Sequence, residues 1–230
     1  MQGIHTITLA LPYKLGSVNC YLVGTGTGHV LIDTGASNKR TELRNELESA
    51  GCKPGDLLLI VLTHGDFDHC GNAAYLREKF GAPIAMHRDD SGMAEFGDMF
   101  WNRQKPNRLI STMMGLLISL SESDRFKPEL FIEDGDDLSE YGFEAKVVHI
   151  PGHSRGSVAF LTAAGVLFCG DLLANTKRPD IWSIIDDPAA AHASVEKLQE
   201  FEIDSVYPGH GAVFPMEQFI QNYRPDNLLG

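Results

Sequence analysis

Apolar residues fall in short blocks over the first third of the chain, too short for helices and bounded by turn residues. ITLALP, VNCYLVG and HVLIDTG read as three strands, with GTGTG at 24–28 as the turn between the second and third. The spacing then changes. NKRTELRNELESA, from Asn38 to Ala50, suits an amphipathic helix that Gly51 ends. LLLIVLT lacks polar alternation, as expected for a strand covered on both faces. A second helix starts near Gly71 and ends at Gly81, and PIAMH makes a further strand.

Residues 88 to about 128 break this alternation with a methionine- and aromatic-rich stretch, GMAEFGDMFWNRQKPNRLISTMMGLLISL, which reads as helical pieces covering something. Strands return as FEAKVVHI, SVAFLTA and VLFCGD. A helix from about Ala189 to Phe201, the strand SVYP and a brief tail complete a mixed α/β pattern. No period of 20 to 50 residues recurs.

At 230 residues and 43% hydrophobic content the chain is long enough for a substantial core, and one compact domain over 1–230 is expected. A formal charge of −12 without a Lys/Arg cluster argues against a nucleic-acid partner. The start lacks a basic and apolar leader, and the longest apolar stretch, Met113 to Leu120, is far short of the roughly 20 residues that span a bilayer. A soluble, cytoplasmic protein without a membrane partner is the expectation. GTGTG is followed by a strand where a dinucleotide site requires a helix. Cysteines 20, 52, 70 and 169 form no CxxC pair and are assigned to core packing.

The chemistry concentrates after LLLIVL, in THGDFDHCGN. His64, Asp66, Asp68 and His69 crowd a strand end, where a loop can turn several side chains toward one point. His153 in HIPGHSRGS, Asp171 in LFCGDLL and His210 in VYPGHG also fall where a strand gives way to a glycine-containing turn. Singly, each histidine is more readily a hydrogen-bonded structural residue. Together, seven His and Asp groups at strand ends point to a metal site. His5, His29, His87, His149 and His192 fit no such pattern and read as structural or surface residues.

The order His-x-Asp-x-Asp-His, PGHS, GD, PGHG, with LIDTG before it, resembles the metallo-β-lactamase-fold superfamily of metal-dependent hydrolases over nearly the whole chain, with a glyoxalase II-like core. The resemblance implies a four-layer αββα sandwich with two divalent metal ions, zinc foremost, at one edge of its sheets. It implies His64, Asp66 and His153 on one ion, Asp68, His69 and His210 on the other, and Asp171 between them. Two such ions about 3.5 to 4 Å apart hold a hydroxide that attacks an acyl or phosphoryl centre. Asp68 would then ligate, orient the nucleophile and pass a proton to the leaving group. Asp33 of LIDTG is expected either to accept a hydrogen bond from a ligating histidine or to close the turn after its strand.

One position departs from the pattern: Asp66 stands where most members carry histidine. Three carboxylates against two dications leave about +1, which predicts weaker Lewis acids and better tolerance of iron or manganese. A carboxylate there also resembles the flavodiiron branch, so a di-iron redox protein served by a separate electron donor is the alternative. A third outcome is that Asp66 weakens one half of the site and only one metal binds well.

A small ester, thioester, lactone or phosphoester is the expected substrate. About twenty residues follow His210, so the helical domain that recognises glutathione in glyoxalase II-like enzymes is not expected, and the missing export signal argues against a β-lactam. The 89–128 insertion is expected to act as a lid or a homodimer contact. Met93, Phe96, Met99, Phe100 and Trp101 would roof an apolar pocket, with Arg103, Lys105 or Arg108 receiving an anionic group.

Overall fold

A computed structural model describes residues 3–103 and 119–224. Strands β1 (Gly3–Ala10), β2 (Ser17–Gly24) and β3 (His29–Ile32) form an antiparallel meander, in which GTGTG makes the second hairpin turn. Strands β4 (Leu57–Val61), β5 (Ile84–Met86) and β6 (Leu130–Phe131) then add in parallel to β3, giving a sheet in the order β1-β2-β3-β4-β5-β6. A second sheet runs β13-β12-β9-β8-β7, from β7 (Ala145–His149), β8 (Val158–Thr162), β9 (Val166–Gly170), β12 (Ser205–Pro208) and β13 (Phe214–Pro215). A two-stranded ribbon, β10 (Leu173–Ala174) with β11 (Asp180–Ile181), leaves its edge.

Three apolar layers separate four structural layers, the αββα sandwich. Between the sheets lie Tyr21, Val23, Val30, Ile32, Leu59, Val61, Phe143, Phe160 and Phe168. The outer face of the first sheet is covered by α1 (Arg40–Ser49), through Leu43 and Leu47, and by α3 (Ala73–Phe80), through Leu76 and Phe80. The outer face of the second is covered by α5 (Pro188–Leu198), through Ala191, Val195 and Leu198, and by α6 (Met216–Asn222), through Met216 and Phe219. β4 accordingly buries Leu57 and Ile60 outward and Leu59 and Val61 inward, which is why its sequence lacks polar alternation.

Local sequence sets several boundaries. The predicted 38–50 helix opens as a 3-10 turn over Ser37–Lys39 and becomes α-helical at Arg40. The helix expected from Gly71 is preceded by a short one, α2 (Phe67–Cys70), and α3 ends where Gly81 turns left-handed. In α5, Asp187 caps the Ala190 N–H and Pro188 takes the first turn. The brief tail after SVYP holds β13 and α6. Within the insertion, the described helix is α4 (Ser91–Phe96), flanked by 3-10 turns at Arg88–Asp90 and Glu122–Asp124. Lys105, Arg108 and most of Met113–Leu120 lie outside the described residues, and with them much of the lid or dimer segment.

The topology puts the ligand-bearing loops together. β3 and β4 run parallel, as do β9 and β12, while β7 reaches the direction of β9 through two antiparallel pairings. The chain therefore leaves β3, β4, β7, β9 and β12 at one edge of the sandwich. Bonds between the sheets lock that edge, with Asn19 Nδ2 donating to Pro208 O and Gly211 O, and Val158 N to Thr63 O.

Phe168 is fully buried between the sheets, with ring centroids 5.3 Å from Tyr21 and 5.1 Å from Tyr207. Phe168→Ala is expected to lower stability by about 3–5 kcal/mol, read from the urea midpoint at unchanged slope.

Candidate metal centre

His64 follows β4, Asp66 stands at the N-cap of the short helix α2, and Asp68 and His69 lie within it. His153 follows β7, Asp171 follows β9 and His210 follows β12. All seven predicted ligands converge. Ligand atoms of His64, Asp66 and His153 lie within 4.8 Å of one another, as do those of Asp68, His69 and His210, and a third set of His64, His69 and Asp171 joins the two. Asp171 presents Oδ1 3.3 Å from His69 Nε2 and Oδ2 3.1 Å from His210 Nε2.

The histidines are aimed by their outer nitrogens. His69 Nδ1 lies 2.8 Å from Asp33 Oδ2, His153 Nδ1 2.7 Å from Ile184 O and His210 Nδ1 2.7 Å from Ser17 O. Thr63 Oγ1 donates to Asp33 Oδ2 at 2.7 Å, so its lone pair accepts from His64 Nδ1 at 2.9 Å. A hydrogen on every Nδ1 means that each ring, once neutral, turns the lone pair of its Nε2 inward. His64 Nε2, His69 Nε2 and Asp171 Oδ1 are buried without a hydrogen-bond partner. Such orphaned groups are costly unless something binds them, and their nitrogen and oxygen donors suit a divalent cation.

Glycine makes the room. A Cβ on Gly209 would lie 2.2 Å from Asp171 Oδ1 and 2.7 Å from His69 Cε1. A Cβ on Gly152 would strike the Ala191 backbone at 2.5 Å, which explains the glycine ahead of His153.

Charge follows the same geometry. Burial raises the Asp171 carboxyl, but His210 and His69 overcome it and hold the group well below the usual carboxylate range. Burial likewise opposes ionisation of Asp66, and Arg103 and His153 pull it well below. Burial pushes Asp68 up, helped by Asp171 and resisted by His69 and His210. Among the histidines, burial depresses His64, whereas in His69, His153 and His210 it is outweighed by facing carboxylates that raise them.

Some residues behave differently from the sequence expectation. Arg103 is no free anion receptor, because it is paired with Asp66, with Nη1 2.5 Å from Oδ1, and lies 3.5 Å from Asp186. Met99 and Phe100 do line the cleft above the ligands. Met93 is instead buried in the core outside the first sheet, and Phe96 and Trp101 meet each other away from the cleft, tilted at 35° with centroids 4.8 Å apart. Asp33 fills both proposed roles: it closes the turn after β3 at φ 59° and bonds His69.

Two contributors escaped the sequence reading. Asp90, 1% exposed, accepts from Gly65 N, Ser154 Oγ and Gly156 N, tying the loop of His64 to that of His153. Trp182 lies flat against His210, 4.8 Å between centroids at 14°. The four cysteines are buried and free, and Cys70 and Cys169 turn their sulfurs to backbone carbonyls.

The sequence profile described as Metallo-beta-lactamase superfamily matches residues 13–210. The chain belongs to that superfamily. A probable metallo-hydrolase of Methanocaldococcus jannaschii is 29% identical over 86% of this chain and 89% of its own length. An acyl-coenzyme A thioesterase of Bos taurus is 27% identical over 91% of this chain and 78% of its own. A protein solved in a di-iron-bound form has 31% identity and a TM-score of 0.72, covering 96% of this chain and 98% of that one. This metallo-β-lactamase superfamily member is thus a hydrolase with a site of the binuclear metal-dependent kind. Among the described residues no helix is long and apolar enough to cross a membrane.

Two measurements test the centre. Asp33→Asn keeps the shape but loses the charge on His69, and is expected to weaken zinc binding about 10–100-fold in a chelator competition assay. Because His69, His153 and His210 bind protons more tightly than free imidazole, the metal-free protein is protonated there until pH passes their raised values. Zinc must displace those protons. Its affinity should therefore rise as pH rises through that range, with net proton release near neutral pH read by calorimetry in buffers of different ionisation enthalpy.

Proposed function

We propose that this hydrolase cleaves a small ester or thioester whose acyl group is apolar. The observation that carries the reading is a cleft of about 360 Å³ whose floor is Asp66, Asp68, His153, Asp171 and His210 and whose walls include Leu11, Leu15, Phe67, Phe100, Trp182 and Ile184. An acyl chain lying on those walls brings its carbonyl onto the ligand cluster. Among the described lining residues the only cation is Arg103, already paired with Asp66 and facing Asp186. Beyond the ligand cluster the described walls offer no uncommitted cation, which disfavours an anionic group on the acyl chain. The thioesterase named among the relatives agrees with acyl chemistry.

His64, Asp66 and His153 would hold one divalent cation, and Asp68, His69 and His210 a second, with Asp171 between. Zinc is the first choice, and iron or manganese the next because of the added oxygen donor. When bound, the pair supplies Lewis-acid polarisation of the acyl carbonyl and activation of water at neutral pH. The chain's own residues do the rest. Trp182 and Phe100 flank the acyl group, and the apolar walls exclude bulk water. Asp68, at the cleft floor, would take the proton that the attacking water gives up and pass it to the departing oxygen or sulfur.

A second reading, electron transfer at a di-iron centre with a separate donor, draws on the carboxylate at position 66 and the di-iron-bound relative. Elemental analysis of protein purified without added metal separates the two. Hydrolysis predicts turnover of neutral acyl esters and thioesters without a reductant. Bound iron with a visible absorption that changes on reduction, and activity only with an electron donor, would replace the proposal.

Asp68→Asn is expected to cut kcat about 10²–10⁴-fold with little change in KM on the best acyl substrate. Phe100→Ala should instead raise KM, and more for a longer acyl chain than for acetate. A panel in which phosphodiesters turn over and acyl esters do not would overturn the reading.

A further inference from the structure

Asp66 stands between two histidines and an arginine, which reaches both of its oxygens but makes its short bond to only one. Oδ2 faces the histidines, 2.8 Å from His153 Nε2 and 3.6 Å from His64 Nε2. Oδ1 faces away and accepts from Arg103 Nη1 at 2.5 Å. The arginine is built in, with its side chain only 11% exposed. Nη1 also reaches Met99 O at 3.3 Å, and Nη2 reaches Asp66 Oδ2 at 3.3 Å, His153 O at 3.2 Å and His153 Nε2 at 3.3 Å. The residue before it is pinned too, with Asn102 Nδ2 donating to Asp89 O at 3.0 Å. Both terminal nitrogens of the guanidinium are thus committed within the fold, and its Nε lies 3.5 Å from Asp186 Oδ2.

Its position has an electrostatic meaning. Asp66, Asp68 and Asp171 bring three negative charges to one cluster. A carboxylate that offers one oxygen to a cation site and the other to a guanidinium contributes a donor atom while its charge is cancelled. We propose that Asp66 and Arg103 act as one electrically neutral ligand unit, so that Arg103, a positioning residue, sets the charge and therefore the metal affinity of the half-site formed with His64 and His153. The proposal rests on the binuclear reading above. It makes the insertion, which delivers Arg103, part of the metal centre rather than only a cover over it.

The two partners should then be coupled with opposite signs. Removing Arg103 alone leaves a more negative half-site that holds a dication as tightly or more tightly. Neutralising Asp66 alone leaves an uncompensated guanidinium beside the ions and repels them. Removing both restores neutrality.

The test is zinc titration of the full chain, stripped of metal, against a chromophoric chelator. Wild type is expected to take up two ions. Asp66→His should weaken the more loosely held ion roughly tenfold to a hundredfold. Arg103→Met should hold it no less tightly than wild type, Arg103→Lys should match wild type, and Asp66→His/Arg103→Met should return to within a few-fold of it. Thermal unfolding of each zinc-free protein checks folding, and Arg103→Gln replaces Arg103→Met if the latter does not fold. Two ions in wild type, with Arg103→Met as weak as Asp66→His or the double variant no better than Asp66→His, would overturn the neutral pair and leave the binuclear reading standing. Fewer than two ions in wild type would overturn both.

Discussion

Everything at this site depends on imidazole rings being held from behind. Each of the four histidines in the cluster has its Nδ1 fixed by an oxygen of the surrounding fold, so its Nε2 has one direction in which to point. Three of those oxygens come from the first sheet, Thr63 after β4, Asp33 after β3 and Ser17 at the start of β2, and the fourth, of Ile184, lies beyond β11 of the ribbon. The strand directions are what make this work, because five strands deliver their C-terminal ends to one edge. A sandwich with one of those strands reversed would carry the same residues to opposite ends.

Two buried aspartates organise the loops in different ways. Asp33 accepts from Thr63 N, Thr63 Oγ1 and His69 Nδ1, so a single carboxylate fixes one histidine directly and another through a hydroxyl. Its left-handed backbone, uncommon for a residue other than glycine, is held by a bond from its own N–H to Val61 O. Asp90 works across the sandwich, joining the His64 loop to the His153 loop through backbone and serine donors. A Cβ on Gly156 would lie 2.8 Å from that carboxylate, so the glycine after Arg155 is needed for the approach.

Much of this was legible in the sequence, and the reason is local. Ligands placed immediately after apolar strands can be read from a single stretch, and β4 declared its double burial by lacking polar alternation. The roles of Arg103 and Asp90 could not be read this way. Arg103 meets Asp66 across 37 positions and Asp90 meets Ser154 across 64, and no local pattern encodes such pairings. Composition points the wrong way here, since an arginine in an apolar insertion reads as a substrate clamp although the partly buried Asp66 claims it. Phe96 and Trp101 look like pocket walls for the same reason, being aromatic and near the site, yet they face each other, with Trp101 against Gly92, and both stay partly exposed. The terminal helix α6 was missed because it covers barely two turns, too few for a helical period to stand out.

Ile184 serves the centre with its backbone and the cleft with its side chain. The carbonyl anchors His153, while the isoleucine side chain, 65% exposed, forms part of the wall. Since every amino acid brings the same carbonyl, replacement here can reshape the acyl pocket while the ring behind it stays aimed. Selection for a new substrate thus has a position to explore at which inheritance of the metal geometry is insulated from the change.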